Sequence, residues 1–154
     1  MTKDHFRMKV AVYGIIRNPN GQVLLHQRQN SGFMDGYFGL PAGHLDGGES
    51  PSEALSREVK EETNLHINPQ QWRQVFTIHR LSKQGITDEY VDIFFEVRDI
   101  TQEPQIMEPE KHSNLGYFDE NELPKNTITY IRDVISRIAR GETYHEYGAG
   151  EGLK

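Results

Sequence analysis

A short helix with both ends written into the sequence stands between runs that alternate like strands, so helix and strand have to pack together in this chain. Ser50, Pro51, Ser52 and Glu53 form a capping-box pattern, with proline at the first helical position, where its missing N–H is harmless. Loss of such a cap costs about 1 kcal/mol. Asn64 supplies a residue that tolerates the left-handed conformation closing a helix. Leu55 and Val59, with Ala54 beside them, give a narrow apolar stripe for packing. Asp46-Gly47-Gly48 reads as the turn leading in.

The same segment crowds Glu49, Glu53, Glu58, Glu61 and Glu62 together. Glu58 stands three and four positions before Glu61 and Glu62, so on a helix the three carboxylates share a side. Each like-charge pair costs roughly 0.2 to 0.5 kcal/mol. Glu61 and Glu62 also fall in the last turn, where the helix dipole disfavours anions. Local rules broken together on a well-specified helix point to a functional site. A hard cation such as Mg2+ takes one or two carboxylates with water and substrate phosphates. On composition alone a solvated acidic helix is the competing reading.

Strand-like runs surround this helix. Residues 8–18 and 22–28 read as strands joined at Asn18-Pro19-Asn20-Gly21, whose Asn-Gly is a hairpin signal. Residues 71–80 and 90–97 are rich in aromatic and β-branched side chains, with a polar loop at 82–89, and residues 115–118 read as a last short strand. Ile128, Ile131, Val134, Ile135 and Ile138 recur at helical spacing over 127–140, and Gly141 stops that helix. Residues 143–154 have three glycines and no apolar period, which reads as a loose tail that Tyr144 and Tyr147 could dock. One domain is expected over 1–154, with its core at about 6–140 and residues 141–154 as the tail.

Composition narrows the function classes. Seventeen basic against twenty-three acidic residues give a net charge of −6, which disfavours non-specific nucleic-acid binding through a basic surface. Without cysteine there is no disulfide framework and no thiolate metal site. No signal peptide or membrane-spanning apolar run is legible, so a cytoplasmic protein without membrane partners is expected.

The spacing is more specific than the composition. It runs Gly43, five positions, Glu49, seven positions, Arg57-Glu58, Val59, one position, Glu61-Glu62, one position, Asn64 and Leu65. This resembles the Nudix box of hydrolases that cleave nucleoside diphosphates linked to another moiety, in the MutT-like branch. The one departure is Asn64, where the family usually has glycine; asparagine is the next-best residue for positive φ. The lead-in Phe38-Gly39-Leu40-Pro41-Ala42-Gly43 is similar to that of the family as well.

The resemblance implies the Nudix fold, an α/β/α sandwich with a mixed β-sheet and a loop-helix-loop catalytic box. It implies Glu58 and Glu62 as principal metal ligands, Glu61 as a ligand or helper, and the Gly43 carbonyl beside the metal, with Mg2+ as the ion and Mn2+ as the alternative. Glu58 would also orient or deprotonate the attacking water, and Arg57 and Glu49 would pair to hold the acidic helix against the preceding loop. Glu108 or Glu110, in the stretch from Met107 to His112, would add a further acid, a plain charged loop being the other reading.

Substrate contacts are expected at Arg28 for phosphate, at Phe33 and Tyr37 for stacking on a base, and at Asn126 for base recognition. Each has an ordinary alternative: a strand-end arginine, aromatic core packing, and a helix N-cap. His79 and Arg80 could touch a ligand or simply end a strand. The partner implied is a small nucleotide, with a homodimer left open because related domains often dimerise.

The expected reaction is Mg2+-dependent attack of water within a diphosphate linkage. Residues 72–103 lack the proline common in ADP-ribose hydrolysing relatives, and residues 81–83 lack the tyrosine of dinucleoside polyphosphate hydrolases. The upstream pattern of coenzyme A pyrophosphatases is missing too. Elimination favours a nucleoside triphosphate, including oxidised or non-canonical forms, over ADP-ribose or a sugar nucleotide. A non-catalytic nucleotide sensor and an acidic interaction module are the readings from other classes.

Overall fold

The computed structural model describes residues 3–81 and 89–148. In chain order it contains β1 (Lys9–Ile16), β2 (Val23–Arg28), β3 (Phe38–Gly39), β4 (Ala42–His44), α1 (Pro51–Thr63), a 3-10 turn (Pro69–Gln71), β5 (Arg73–Arg80), β6 (Tyr90–Val97), β7 (His112–Phe118), α2 (Thr129–Ala139) and β8 (Tyr144–Tyr147). A five-stranded sheet has the order β4-β1-β6-β5-β8, and a three-stranded sheet the order β3-β2-β7. The larger sheet is mixed: β1 and β6 run parallel, as do β5 and β8, while β4 and β5 run antiparallel to β1 and β6.

Alternation along β1 assigns its two faces to two cores. Ala11, Tyr13 and Ile15 pack with Phe76, Ile78, Phe94 and the α2 residues Tyr130, Ile131, Val134 and Ile135. Val12 and Ile16 pack instead with Phe95, Trp72 and the α1 residues Ala54, Leu55 and Val59. A sheet with both faces covered by helices is an α/β/α sandwich, as the sequence leads one to expect. Gly14 leaves room for the Trp72 ring, which would lie 3.1 Å from a Cβ built there.

The α1 helix forms as its sequence specifies. The Ser50 hydroxyl accepts from the Glu53 N–H, the Glu53 carboxylate accepts from the Ser50 N–H at 3.0 Å, and Asn64 closes the helix at φ 59°. Three expectations need correcting. The Asn18–Gly21 turn is present, with Gly21 at φ 79°, but it does not join a hairpin. Beyond the single Arg17–Val23 bridge, β1 and β2 part into different sheets. Asn126 does not cap α2, whose first residue follows Ile128.

The third correction concerns the looseness of the tail, which docks through Tyr147, the alternative its sequence offered. Residues 144–147 form β8 alongside β5, and Tyr147 is buried with its hydroxyl donating to Asp133 of α2. Strand pairing and one buried ring hold a segment that shows no apolar period. The polar loop expected at 82–89 lies almost wholly outside the described residues, as do the last residues of the tail.

A cleft of acids, cations and aromatic rings

The functional side chains converge on a cleft of about 820 Å3 bounded by β1, β4, α1, the ends of β2 and β5, and α2. Glu58, Glu61, Glu62 and Gly43 line one side. Arg28, Phe33, Glu108 and Lys111 line another, and Tyr13, Arg80, Tyr90 and Tyr130 form a third.

On the acidic side, α1 delivers its carboxylates unequally. The Glu62 side chain is 11% exposed and accepts from the Ala42 N–H at 3.3 Å. Burial, reinforced by the charge of Glu58, holds its carboxyl well above the usual carboxylate range. Glu58 is also raised by burial, with the Arg57 guanidinium opposing the shift. Glu61 is more open, at 55% exposure, and stands 3.5 Å from the Arg57 guanidinium.

Arg57 organises this face. Its Nε and Nη2 donate to the Glu49 carboxylate at 3.0 Å, and its Nη1 donates to Glu58 at 3.0 Å. The expected Arg57–Glu49 pair is therefore formed, and the same guanidinium fixes Glu58. Gly43 is required by Glu58: a Cβ there would overlap the Glu58 Cγ and Cδ and lie 2.6 Å from its Oε1. An oxygen-rich set of partly buried carboxylates on a rigid helix fits a hard divalent cation.

The residues expected from sequence are distributed as follows. Arg28 ends β2 and enters the cleft, its Nε donating to the Phe33 carbonyl at 2.8 Å and its guanidinium lying 5.4 Å from the Phe33 ring centre. Phe33 is exposed in the cleft wall. Tyr37 instead packs against the core, and Asn126 donates to the Gly36 carbonyl at 2.7 Å, so neither lines the cleft. Of the two downstream acids, Glu108 lines the cleft, paired with Lys111 at 3.0 Å, and Glu110 does not.

Sequence reasoning gave little weight to a second group. Arg80 reaches into the cleft between the rings of Tyr90 and Tyr130, at 4.5 and 5.0 Å, and its Nη2 donates to the fully buried Asp92 at 3.2 Å. Tyr130 shares a 2.8 Å hydrogen bond with Tyr13. His26 and His112 were passed over as well. Their rings stack at 4.0 Å, both are buried, and desolvation lowers both of their pKa values by disfavouring the charged form. The usable signal was a histidine continuing the apolar run Val23-Leu24-Leu25 of β2.

Fold and site together define an α/β/α sandwich whose loop-helix-loop presents acids to a cleft also lined by Arg28, Arg80 and Lys111. The NUDIX domain family matches residues 7–138, and the chain belongs to that family. Over 116 residues it is 35% identical to a protein of Methanocaldococcus jannaschii named ADP-ribose pyrophosphatase, covering 75% of this chain and 64% of that one. Over 89 residues it is 29% identical to the 8-oxo-dGTP diphosphatase of Escherichia coli, covering 58% of this chain and 64% of that one. The matched region thus spans less than two thirds of either relative. The fold is shared with the crystal structure of a MutT NUDIX hydrolase from Burkholderia pseudomallei, at TM-score 0.74 and 23% identity over 85% of this chain and 98% of that one.

Proposed function

We propose that the chain hydrolyses a phosphoric anhydride bond in a nucleoside diphosphate-linked substrate, with Mg2+ as cofactor and a nucleoside triphosphate as the preferred substrate. One observation carries this reading: Glu58 and Glu62 face the same cleft as the cations Arg28 and Arg80 and the rings of Phe33, Tyr90 and Tyr130. Carboxylates for a metal, guanidinium groups for phosphate and aromatic faces for a base are the three things a nucleotide needs.

Glu58, Glu62 and the Gly43 carbonyl would hold the cation, with Glu61 and Glu108 lining the same cleft. When bound, such a cation neutralises phosphoryl oxygens and lowers the pKa of attached water. The protein's own part is positioning. Arg57 fixes Glu58, and burial raises the Glu58 carboxyl above its ordinary value. Glu58 takes a proton from the attacking water, whose oxygen bonds to phosphorus as the anhydride P–O bond breaks. Phosphate or pyrophosphate leaves with the electron pair. Arg28 and Lys111 bear the charge that builds on the phosphates.

The names of the relatives support two substrate branches, 8-oxo-dGTP and ADP-ribose. The missing proline of the ADP-ribose branch favours the triphosphate, whereas the longer match to the Methanocaldococcus jannaschii protein favours ADP-ribose as the second reading. Phosphate and pyrophosphate release should be measured from canonical and 8-oxo nucleoside triphosphates, ADP-ribose and sugar nucleotides, with Mg2+ and with EDTA. Metal-dependent turnover of a triphosphate is expected. Turnover of ADP-ribose alone would move the substrate to the other branch, and silence across the panel would overturn hydrolysis.

A further inference from the structure

Beside the acidic helix lies a cluster of which the proposed hydrolysis uses only Glu62. His26 projects from β2, His112 from the start of β7 and Glu62 from the last turn of α1. One ligand atom from each lies within 4.8 Å of the other two, and among the described residues this is the one such group of histidine and acid. Both ring nitrogens of His26 and Nδ1 of His112 are buried without a hydrogen-bond partner. The approach of His26 Nδ1 to Glu62, 3.7 Å, is too long for a hydrogen bond.

Three orphaned nitrogens in one place need an explanation. A buried polar group left unsatisfied costs about 1 to 3 kcal/mol, and native interiors hold few. Ring stacking satisfies none of them, because the nitrogens lie in the ring planes. His26 is 2% exposed, so its neighbours inside the fold have to serve it. Glu62 faces both rings across the gap, with Glu58 and Glu108 adding negative charge and Arg28 opposing it.

We propose that His26, His112 and Glu62 form a second cation site, selective for a borderline transition ion of the Zn2+ or Co2+ type. Two imidazoles and one carboxylate, with a coordination position left open, are a donor set such ions favour. Mg2+ is the wrong ion here, since it seeks oxygen and keeps its water. Ligand atoms about 2.0 to 2.1 Å from one ion stand roughly 3 to 3.5 Å apart, so closure requires about 1 Å of side-chain adjustment. The two proposed sites share Glu62, yet this one stands whether or not the chain hydrolyses nucleotides.

The test is titration of the full chain, stripped with EDTA, with Co2+ in excess Mg2+, reading visible absorption and bound-metal stoichiometry. One Co2+ per chain is expected, with the intense ligand-field bands of low-coordinate nitrogen ligation. Affinity should fall roughly tenfold or more in His112→Asn and in His26→Gln, and persist in Glu58→Gln. Should His26→Gln fail to fold, imidazole nitrogen NMR of the unaltered chain gives the same reading, with His26 and His112 resonances moving when Zn2+ is added. Absence of Co2+ binding would overturn the site. So would Co2+ that Mg2+ displaces, or that Glu58→Gln loses while His112→Asn retains it, either of which would put the ion on the acidic helix.

Discussion

Gly43 leaves the Glu58 side chain the space it occupies: the α-carbon of the one sits where any larger residue would collide with the methylene and carboxyl carbons of the other. Close approach of β4 to α1 thereby sets the position of a proposed metal ligand.

Gly43→Ala is accordingly expected to displace Glu58 by about 1 Å. Overpacking of this kind costs about 1 to 3 kcal/mol. Misplacement of a reacting group by that distance lowers kcat on the order of 100-fold. Thermal melts and kcat on the preferred substrate check both, and an unchanged kcat would show that Glu58 has room to spare.

Glu58→Gln keeps the shape and removes the charge. Loss of a positioned base reduces the rate by roughly 100- to 10,000-fold. The melting temperature should stay within a few degrees, since Gln still accepts from Arg57. Full activity in this variant would sink the mechanism proposed for the acidic helix.

Asn64 holds a left-handed conformation, φ 59° and ψ 16°, at the end of α1. Asn64→Ala should destabilise the fold by about 1 kcal/mol, the usual penalty for a Cβ in that region without a local polar side chain. Asn64→Gly should be close to neutral. Urea melts of the two variants separate a backbone requirement from a side-chain one; equal losses would argue for the side chain.

Glu96 predicts a pH dependence far from the cleft. Its side chain is 2% exposed and receives Arg17, Arg73 and Arg98 at 2.9 to 3.0 Å. Burial alone would raise its carboxyl, but the guanidinium groups of Arg17 and Arg98, Arg17 foremost, hold it below its ordinary value of 4.5. A depressed carboxylate contributes stability that is fully present above pH 4.5 and is lost as the pH falls through the lower folded-state value. Glu96→Gln should cost about 1 to 3 kcal/mol at pH 7. The gap between variant and parent should narrow as the pH is lowered below 4.5. A gap that does not narrow with falling pH would assign the effect to packing.

Local signals carried most of what the sequence revealed. The α1 cap, its Asn64 terminus and the Arg57–Glu49 pair are set by residues a few positions apart, and all were legible. The isoleucine stripe of α2 was legible for the same reason. What pairing creates was not. The strands β3 and β4 are two and three residues long, too short for any period, and β8 exists because β5 offers it an edge. The Asn18–Gly21 turn shows a local signal obeyed and a global one unheard, since its flanking strands separate into two sheets. Arg80 enters the cleft because β5 ends beside Tyr90 in the β5–β6 register. His26 and His112 meet through the antiparallel β2–β7 pairing, with its irregularity between Gln27 and Arg28, which no spacing along the chain announces.

β8 also bears on how the protein behaves in company. Strand edges with unpaired backbone groups recruit other chains, and long, flat ones do so most readily. Without β8 the large sheet would end on the eight residues of β5. With it, the outermost strands are β4 and β8, three and four residues long, and β8 carries Glu146 outward. A chain trimmed of residues 142–154 would expose that longer row and be more inclined to self-associate. Among the described residues β8 thus covers the long edge of the neighbour that bears Arg80, leaving a shorter one for a stranger to pair with.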